Sequence, residues 1–228
     1  MSRAKKLAAH SAKHRVFLVD DHPITREGLA RLINHEADME VCGQVGTAAK
    51  AVAEIELSKP DLVVVDVSLT NGASGLELIK DLAARHPHLR MLTLSTHDEV
   101  LYAERALRAG AKGYVMKQEA TPKVMAAIRQ VLGGGVYLSE TMNNRVLHRM
   151  TQPGAAPTAT EIEQLSDREL EVYRLIGRGR GTRQIADELH LSMSTVETYR
   201  THIKDKLHLA SAPELVRRAV EWVHSQAS

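Results

Sequence analysis

The sequence predicts an α/β domain built on a five-stranded doubly wound parallel sheet, followed by a smaller all-helical domain. Three observations carry that expectation. Short runs of branched apolar residues, such as Val16-Phe17-Leu18-Val19 and Leu62-Val63-Val64-Val65, suit strands buried on both faces. Each such run is followed by a stretch with helical spacing, which makes five strand–helix pairs in about 120 residues. Beyond about residue 160 only the helical spacing continues.

Taken in order, the first fifteen residues hold five Lys or Arg and no acid, without the apolar segment of a secretory signal. They read as a disordered basic arm over 1–14. The first strand ends in Asp20 and Asp21, and Pro23 opens a helix to about His35. Met39 to Val45 alternates as a short strand. Ala48 to Leu57 is a helix that stops before Lys59-Pro60. The central run from Leu62 ends in Asp66, and the composition of 71–75 marks a loop. Leu76 to Arg85 is a helix closed by His86-Pro87. Met91 to Leu94 is a strand ending at Ser95 and Thr96, and Glu99 to Ala109 is a helix with Gly110 in the capping position. Gly113 to Met116 is a strand ending at Lys117, and a helix runs from Thr121 to Leu132. Val136 to Leu138 adds a short closing contact. Met150 to Thr160 is rich in Thr, Ala, Pro and Gly and reads as a flexible linker. Ser166, with Glu169 three residues on, has the spacing of a capping box for a helix through Gly177. Three more helices follow at Thr182–Leu189, Ser194–Leu207 and Pro213–Val223.

Composition bounds the rest. The chain of 228 residues is long enough for two small domains, and 43% hydrophobic with 25% charged residues reads as globular. No segment approaches the roughly 18 to 20 apolar residues a membrane span requires. A cytoplasmic location without membrane association is therefore expected. The one cysteine, Cys42, lies in an alternating apolar run and is expected to be a small core residue in a reducing compartment.

The strand endings carry the chemistry. Ligands of doubly wound sheets bind beyond the carboxyl ends of the strands, and here those ends bear Asp20, Asp21, Asp66, Ser95 and Lys117. In the flavodoxin-like order 2-1-3-4-5 the first and third strands are neighbours, so the three carboxylates share one crevice. Like charges that close raise one another's pKa, and a hard divalent cation such as magnesium relieves the repulsion. Magnesium and Lys117 could neutralise a phosphoryl group from two sides. Asp66 is the carboxylate placed to act as nucleophile, with Ser95 bonding the phosphoryl oxygens. Each residue alone has a plainer reading, as a strand-end turn residue or a solvated charge; the agreement of four strand ends is what argues for a site. His22, His86, His88 and His97 lack a metal-ligand spacing and read as loop histidines.

Asp20-Asp21, Asp66, Ser95 and the stretch Gly110 to Lys117 together resemble a CheY-like receiver domain of two-component response regulators, over about residues 14–138. The resemblance implies that Asp66 accepts a phosphoryl group from a sensor histidine kinase. It also implies that Asp20, Asp21, Asp66 and the carbonyl of Ser68 surround Mg2+, that Ser95 and Lys117 bind the phosphoryl group, and that Tyr114 is the switch aromatic. Two departures bear on the loop after Asp66: Thr70 stands where the family usually has Pro, and Gly75 lies one residue later than usual. Thr96 stands where a smaller residue is common.

The C-terminal segment makes a second constellation. Ile185, Ala186 and Leu189, a turn at 191–194, then Val196, Ile203 and Leu207 describe a helix-turn-helix over about 182–201. Its second helix offers Ser194, Thr195, Glu197, Thr198, Arg200, Thr201 and Lys204 to phosphates and base edges. From Arg174 to Arg218 nine Lys or Arg stand against five Asp or Glu, a local basis for phosphate binding that a net charge of +2 conceals. A helical interaction domain with a solvated face is the plainer alternative. The stretch Leu165 to Val172, with Ile185-Ala186, Ser194 to Thr198 and Lys206-Leu207, resembles the LuxR-type DNA-binding domain, and the pair of domains resembles the NarL/FixJ transcriptional response regulators.

That resemblance implies a domain plan of arm 1–14, receiver 15–138, linker 139–160 and DNA-binding domain 161–228. It implies a transcription regulator rather than a dedicated enzyme. Phosphorylation of Asp66 would release the recognition helix and favour a homodimer on double-stranded promoter DNA. A magnesium-dependent phosphatase is disfavoured because Ser68 stands where a general acid would be needed. A ligand sensor is disfavoured by an aromatic content of 3%, too low to line an apolar pocket readily.

Overall fold

A computed structural model describes residues 13–69, 74–96, 99–119, 121–144 and 161–226. The N-terminal part alternates strand and helix: β1 (His14–Val19), α1 (Pro23–His35), β2 (Met39–Val45), α2 (Ala48–Ser58), β3 (Leu62–Val65), α3 (Gly75–Arg85), β4 (Arg90–Ser95), α4 (Glu99–Ala109), β5 (Tyr114–Met116) and α5 (Thr121–Leu132). A 3-10 turn at Glu161–Gln164 leads into α6 (Asp167–Gly177), α7 (Thr182–Leu189), α8 (Met193–Lys206) and α9 (Ala212–Gln226).

The five strands form one parallel sheet in the order β2-β1-β3-β4-β5, as expected from the sequence. Val16 to Val19 lie against Leu62 to Val65 in register, which sets Asp20 and Asp66 side by side just past the strand ends. All four β3 residues are buried because both faces are covered. Phe17, Val19, Val63 and Val65 point to a core shared with α2, α3 and α4. Val16, Leu18, Leu62 and Val64 point to a second core shared with α1 and α5. The period-2 alternation of a strand thus feeds two separate layers.

The C-terminal helices build on the close approach of α6 and α9. A Cβ at Gly177 would lie 2.4 Å from the Ala219 carbonyl, so only glycine lets these helices meet there. Tyr173 packs on Trp222 with ring centroids 5.4 Å apart. The hydrophobic cluster on the α2–α4 face of the sheet continues into these helices, so the two parts share apolar contact. No helix among the described residues is long and apolar enough to cross a membrane.

Three sequence expectations need adjustment. β1 begins at His14, which pairs with Met39, so the strand takes the last residue assigned to the arm. Leu138 and Met142 are buried, and 140–144 is helical, because Ser139 anchors on Glu99; the first part of the expected linker is therefore packed against the receiver. Cys42 is only half-buried, since β2 is an edge strand, and burial still pushes its thiol pKa up. The remainder of the arm and linker, residues 1–12 and 145–160, lies outside the described residues, as does Thr70.

Candidate functional site

The parallel register delivers the acids to one lip of the sheet. Asp66 is 3% exposed and Asp20 is 7% exposed, so two carboxylates are taken almost wholly out of water. The Lys117 ammonium, brought from the end of β5, lies 2.7 Å from both Asp20 Oδ2 and Asp66 Oδ2. Burial drives the Asp66 carboxyl up to about 6 against the pull of Lys117, and the neighbouring Asp20 adds to the rise. Burial opposes the charge on Lys117, but Asp66 and Asp20 outweigh it and hold its pKa above the ordinary lysine value.

One ammonium does not satisfy the whole cluster. Asp21 Oδ1 is shielded from water and meets no well-aligned donor; the nearest group is the His22 imidazole, with Nδ1 at 2.7 Å. Ligand atoms of Asp20, Asp21, His22 and Asp66 all lie within 4.8 Å of one another. Orphaned carboxylate oxygen in a hard-oxygen cluster is the environment a divalent cation fits. His22 was read from spacing as a loop histidine; it instead stands at the rim of the acids, placed there as the residue preceding α1. No spacing rule signals it, because the other members come from β1 and β3.

Ser95 is fully buried at the end of β4, Lys117 N bonds its carbonyl at 2.7 Å, and Tyr114, in register with Thr93, is fully buried in β5. Ser68 N approaches Asp66 Oδ1 at 3.4 Å, which holds the chain close after the acid. Gly75 explains itself here: a Cβ would lie 1.8 Å from the Asp66 carbonyl oxygen, so the start of α3 can pass behind the acid only as glycine. Ser74 caps that helix by accepting from Leu76 N.

The second candidate region lies on α7 and α8. Ser192 caps α8, accepting from Thr195 N and contacting the hydroxyls of Ser194 and Thr195, so the helix begins one residue earlier than its sequence suggests. Val196 and Ile203 face inward and Ser194, Glu197, Thr198 and Thr201 outward, whereas Thr195, Arg200 and Lys204 are half-buried. Glu197 accepts from Thr182 Oγ1 at 2.7 Å and lies 3.8 Å from Arg200 Nε. Those two contacts fix its carboxylate relative to both helices of the pair.

The two parts meet through the start of α6. Arg105 of α4 donates to the Leu165 carbonyl at 2.8 Å and to Asp167 Oδ1 at 3.0 Å, and Lys80 of α3 lies 3.6 Å from Asp167 Oδ2. Ser68 donates its hydroxyl to Glu171 Oε1 at 3.1 Å, and Glu171 is ion-paired with the buried Arg168. Tyr102 is buried at this junction. The outward face of α8 is already open, and it is α6 that the receiver grips.

The comparisons with known proteins fall on this geometry. Residues 16–129 match the model of the response regulator receiver domain, and residues 163–219 match that of bacterial regulatory proteins of the luxR family. The chain belongs to the NarL/FixJ response regulators. It is 33% identical over 210 residues to the oxygen regulatory protein NreC of Staphylococcus carnosus, spanning 91% of this chain and 97% of that one. A LuxR-family two-component response regulator from Aurantimonas sp. SI85-9A1 shares 30% identity and a TM-score of 0.57, covering 62% of this chain and all of the other. RcsB of Salmonella enterica serovar Typhimurium, solved on the rprA promoter with a phosphomimetic, has a TM-score of 0.59 at 22% identity, covering 90% and 97%. That last likeness concerns the fold. Family membership makes this response regulator a phosphorylation-linked, DNA-binding transcription regulator with a signalling role, not a dedicated enzyme.

Proposed function

We propose that Asp66 of this response regulator is the phosphoacceptor and that its phosphorylation frees the C-terminal domain to bind promoter DNA as a homodimer. The observation that carries the reading is the Lys117 ammonium held 2.7 Å from Asp20 and from Asp66 at a buried sheet end, with Ser68 joining the same site to α6. An Asp66 oxygen attacks the phosphorus of a phosphohistidine on the sensor kinase, the new P–O bond forms, and the P–N bond breaks with the electrons leaving on the imidazole. Asp20, Asp21, Asp66 and the Ser68 carbonyl would hold Mg2+, which supplies positive charge against the phosphoryl oxygens. Lys117 leaves its place between the carboxylates to pair with the phosphoryl group, and Ser95 donates its hydroxyl to it. Tyr114, on the neighbouring strand β5, follows that hydroxyl. In this plan residues 15–138 take up the signal, 139–160 link, and 161–228 bind DNA.

A change at Ser68 reaches α6 directly, since its hydroxyl holds Glu171. Loosening that bond frees the C-terminal domain as a unit. On DNA, Ser194, Thr195, Thr198, Thr201 and Lys204 then serve phosphates and base edges, and Arg200 and Glu197 act as the tethered pair. A small acyl-phosphate donor with Mg2+ tests the acceptor. Acid-stable, base-labile phosphate should appear on the wild type and be absent from Asp66→Asn; equal incorporation in both would move the acceptor elsewhere.

A further inference from the structure

Between the receiver and α6 lies a cleft of about 400 Å³, within the size range of small-ligand sites. One wall carries Asp21, Ser68 and Thr96, and the other Arg174, Arg178 and His190. Two of its carboxylates have partners already: Glu171 holds Arg168 and Ser68, and Glu188 lies 3.8 Å from Arg180, while Asp21 on the receiver wall has the His22 imidazole at 2.7 Å. Two further arginines, Arg174 and Arg178, line the same cleft. Arg174 Nε is shielded from water with no acceptor, and Arg178, which is exposed, has its pKa lowered by Arg174 first and by burial, with Glu188 pulling the other way. The two stand four residues apart at the end of α6, where the helix dipole favours cations but gives Arg174 Nε no hydrogen bond.

We propose that this cleft is a binding site for a compact free phosphorylated compound, whose oxyanion spans Arg174 and Arg178 and bridges the two domains in their docked arrangement. Guanidinium groups bind phosphate oxygens through paired, charge-assisted hydrogen bonds, and Arg174 Nε has no acceptor of its own. The cleft opens beside the phosphorylation site, since Asp21 and Ser68 border both, but the arginine pair stands on the opposite wall and does not require a phosphoryl group on Asp66. It ties the docked form to the supply of a small anion rather than to a kinase.

Calorimetric titration of the full-length protein with inorganic pyrophosphate, in chelator and at fixed ionic strength, tests this. Saturable binding is expected with the wild type and with Asp66→Asn. The Arg174→Gln, Arg178→Gln double variant should bind about tenfold more weakly or worse. The double variant Arg183→Gln, Arg217→Gln removes the same net charge away from the cleft and should keep the affinity within about twofold. Near-equal binding by the cleft variant and the wild type, or no binding to the wild type, would overturn the proposal. So would loss of binding in Asp66→Asn, since it would put the anion on the phosphoacceptor instead. An unchanged thermal unfolding profile confirms that the arginine variants are folded.

Discussion

At the scale of single residues, the site is a balance between one ammonium and a set of carboxylates too crowded to be neutralised by it. The Asp66 carboxyl is driven up to about 6 by burial, with Asp20 adding to the rise. Because this folded-state pKa lies above the ordinary carboxylate value, the group's contribution to the metal-free fold is greatest below that ordinary value and is lost as pH rises through about 6. Metal binding runs the other way. Mg2+ affinity, followed by calorimetry, should be level above about pH 6 and fall by up to about tenfold per unit below it, since the proton on Asp66 must leave first. Asp20, Asp66 and Lys117 were legible in the sequence because strand ends in a parallel sheet converge whatever the loops do. His22 and Gly75 were not. The imidazole reaches the acids only through the path of the chain into α1, and the need for glycine arises from the Asp66 carbonyl, nine residues away.

At the scale of elements, spacing read the helices well where one chemical signal dominates. Ser166 and Glu169 form the capping box that their separation predicts, and Lys206 of α8 adds an ion pair to the same carboxylate at 2.6 Å. Burial would raise the Glu169 pKa, but Lys206 and Ser166 hold it below the usual range. Its stabilisation is therefore present at neutral pH and lost as pH falls through that lowered value. Glu169→Ala should cost about 1–2 kcal/mol at pH 7, with a smaller difference in acid. Denaturant unfolding followed at Trp222, the only tryptophan, measures it within the C-terminal domain. The start of α8 was harder to read, since Ser192 and Ser194 are both plausible caps and only the hydroxyl geometry selects Ser192. Cys42 was misjudged for a related reason. Alternation marks which side of a strand faces the protein, but not that the strand lies at the sheet's edge.

At the scale of the whole molecule, the sheet order 2-1-3-4-5 came from the resemblance to flavodoxin-like receivers, whereas the alternating strands and helices and the helical second domain were legible from local periodicity. The docking of the two was not. Arg105, Ser68 and Glu171 are ordinary residues in their own segments and gain meaning only when α4, the loop after β3 and α6 come together. Arg105→Ala removes the bonds to Leu165 and Asp167 and should raise the affinity of the unphosphorylated protein for promoter DNA about 3- to 10-fold, read by fluorescence anisotropy. An unchanged affinity would mean that the grip on α6 does not restrain binding. The central claim is that a phosphoryl group on Asp66 controls the DNA-binding end. Its most direct test is the affinity of full-length protein for its promoter with and without an acyl-phosphate donor and Mg2+, in the wild type and in Asp66→Asn. The wild type should tighten by about tenfold or more on treatment while Asp66→Asn stays at the untreated value; equal affinity in all four conditions would contradict the account.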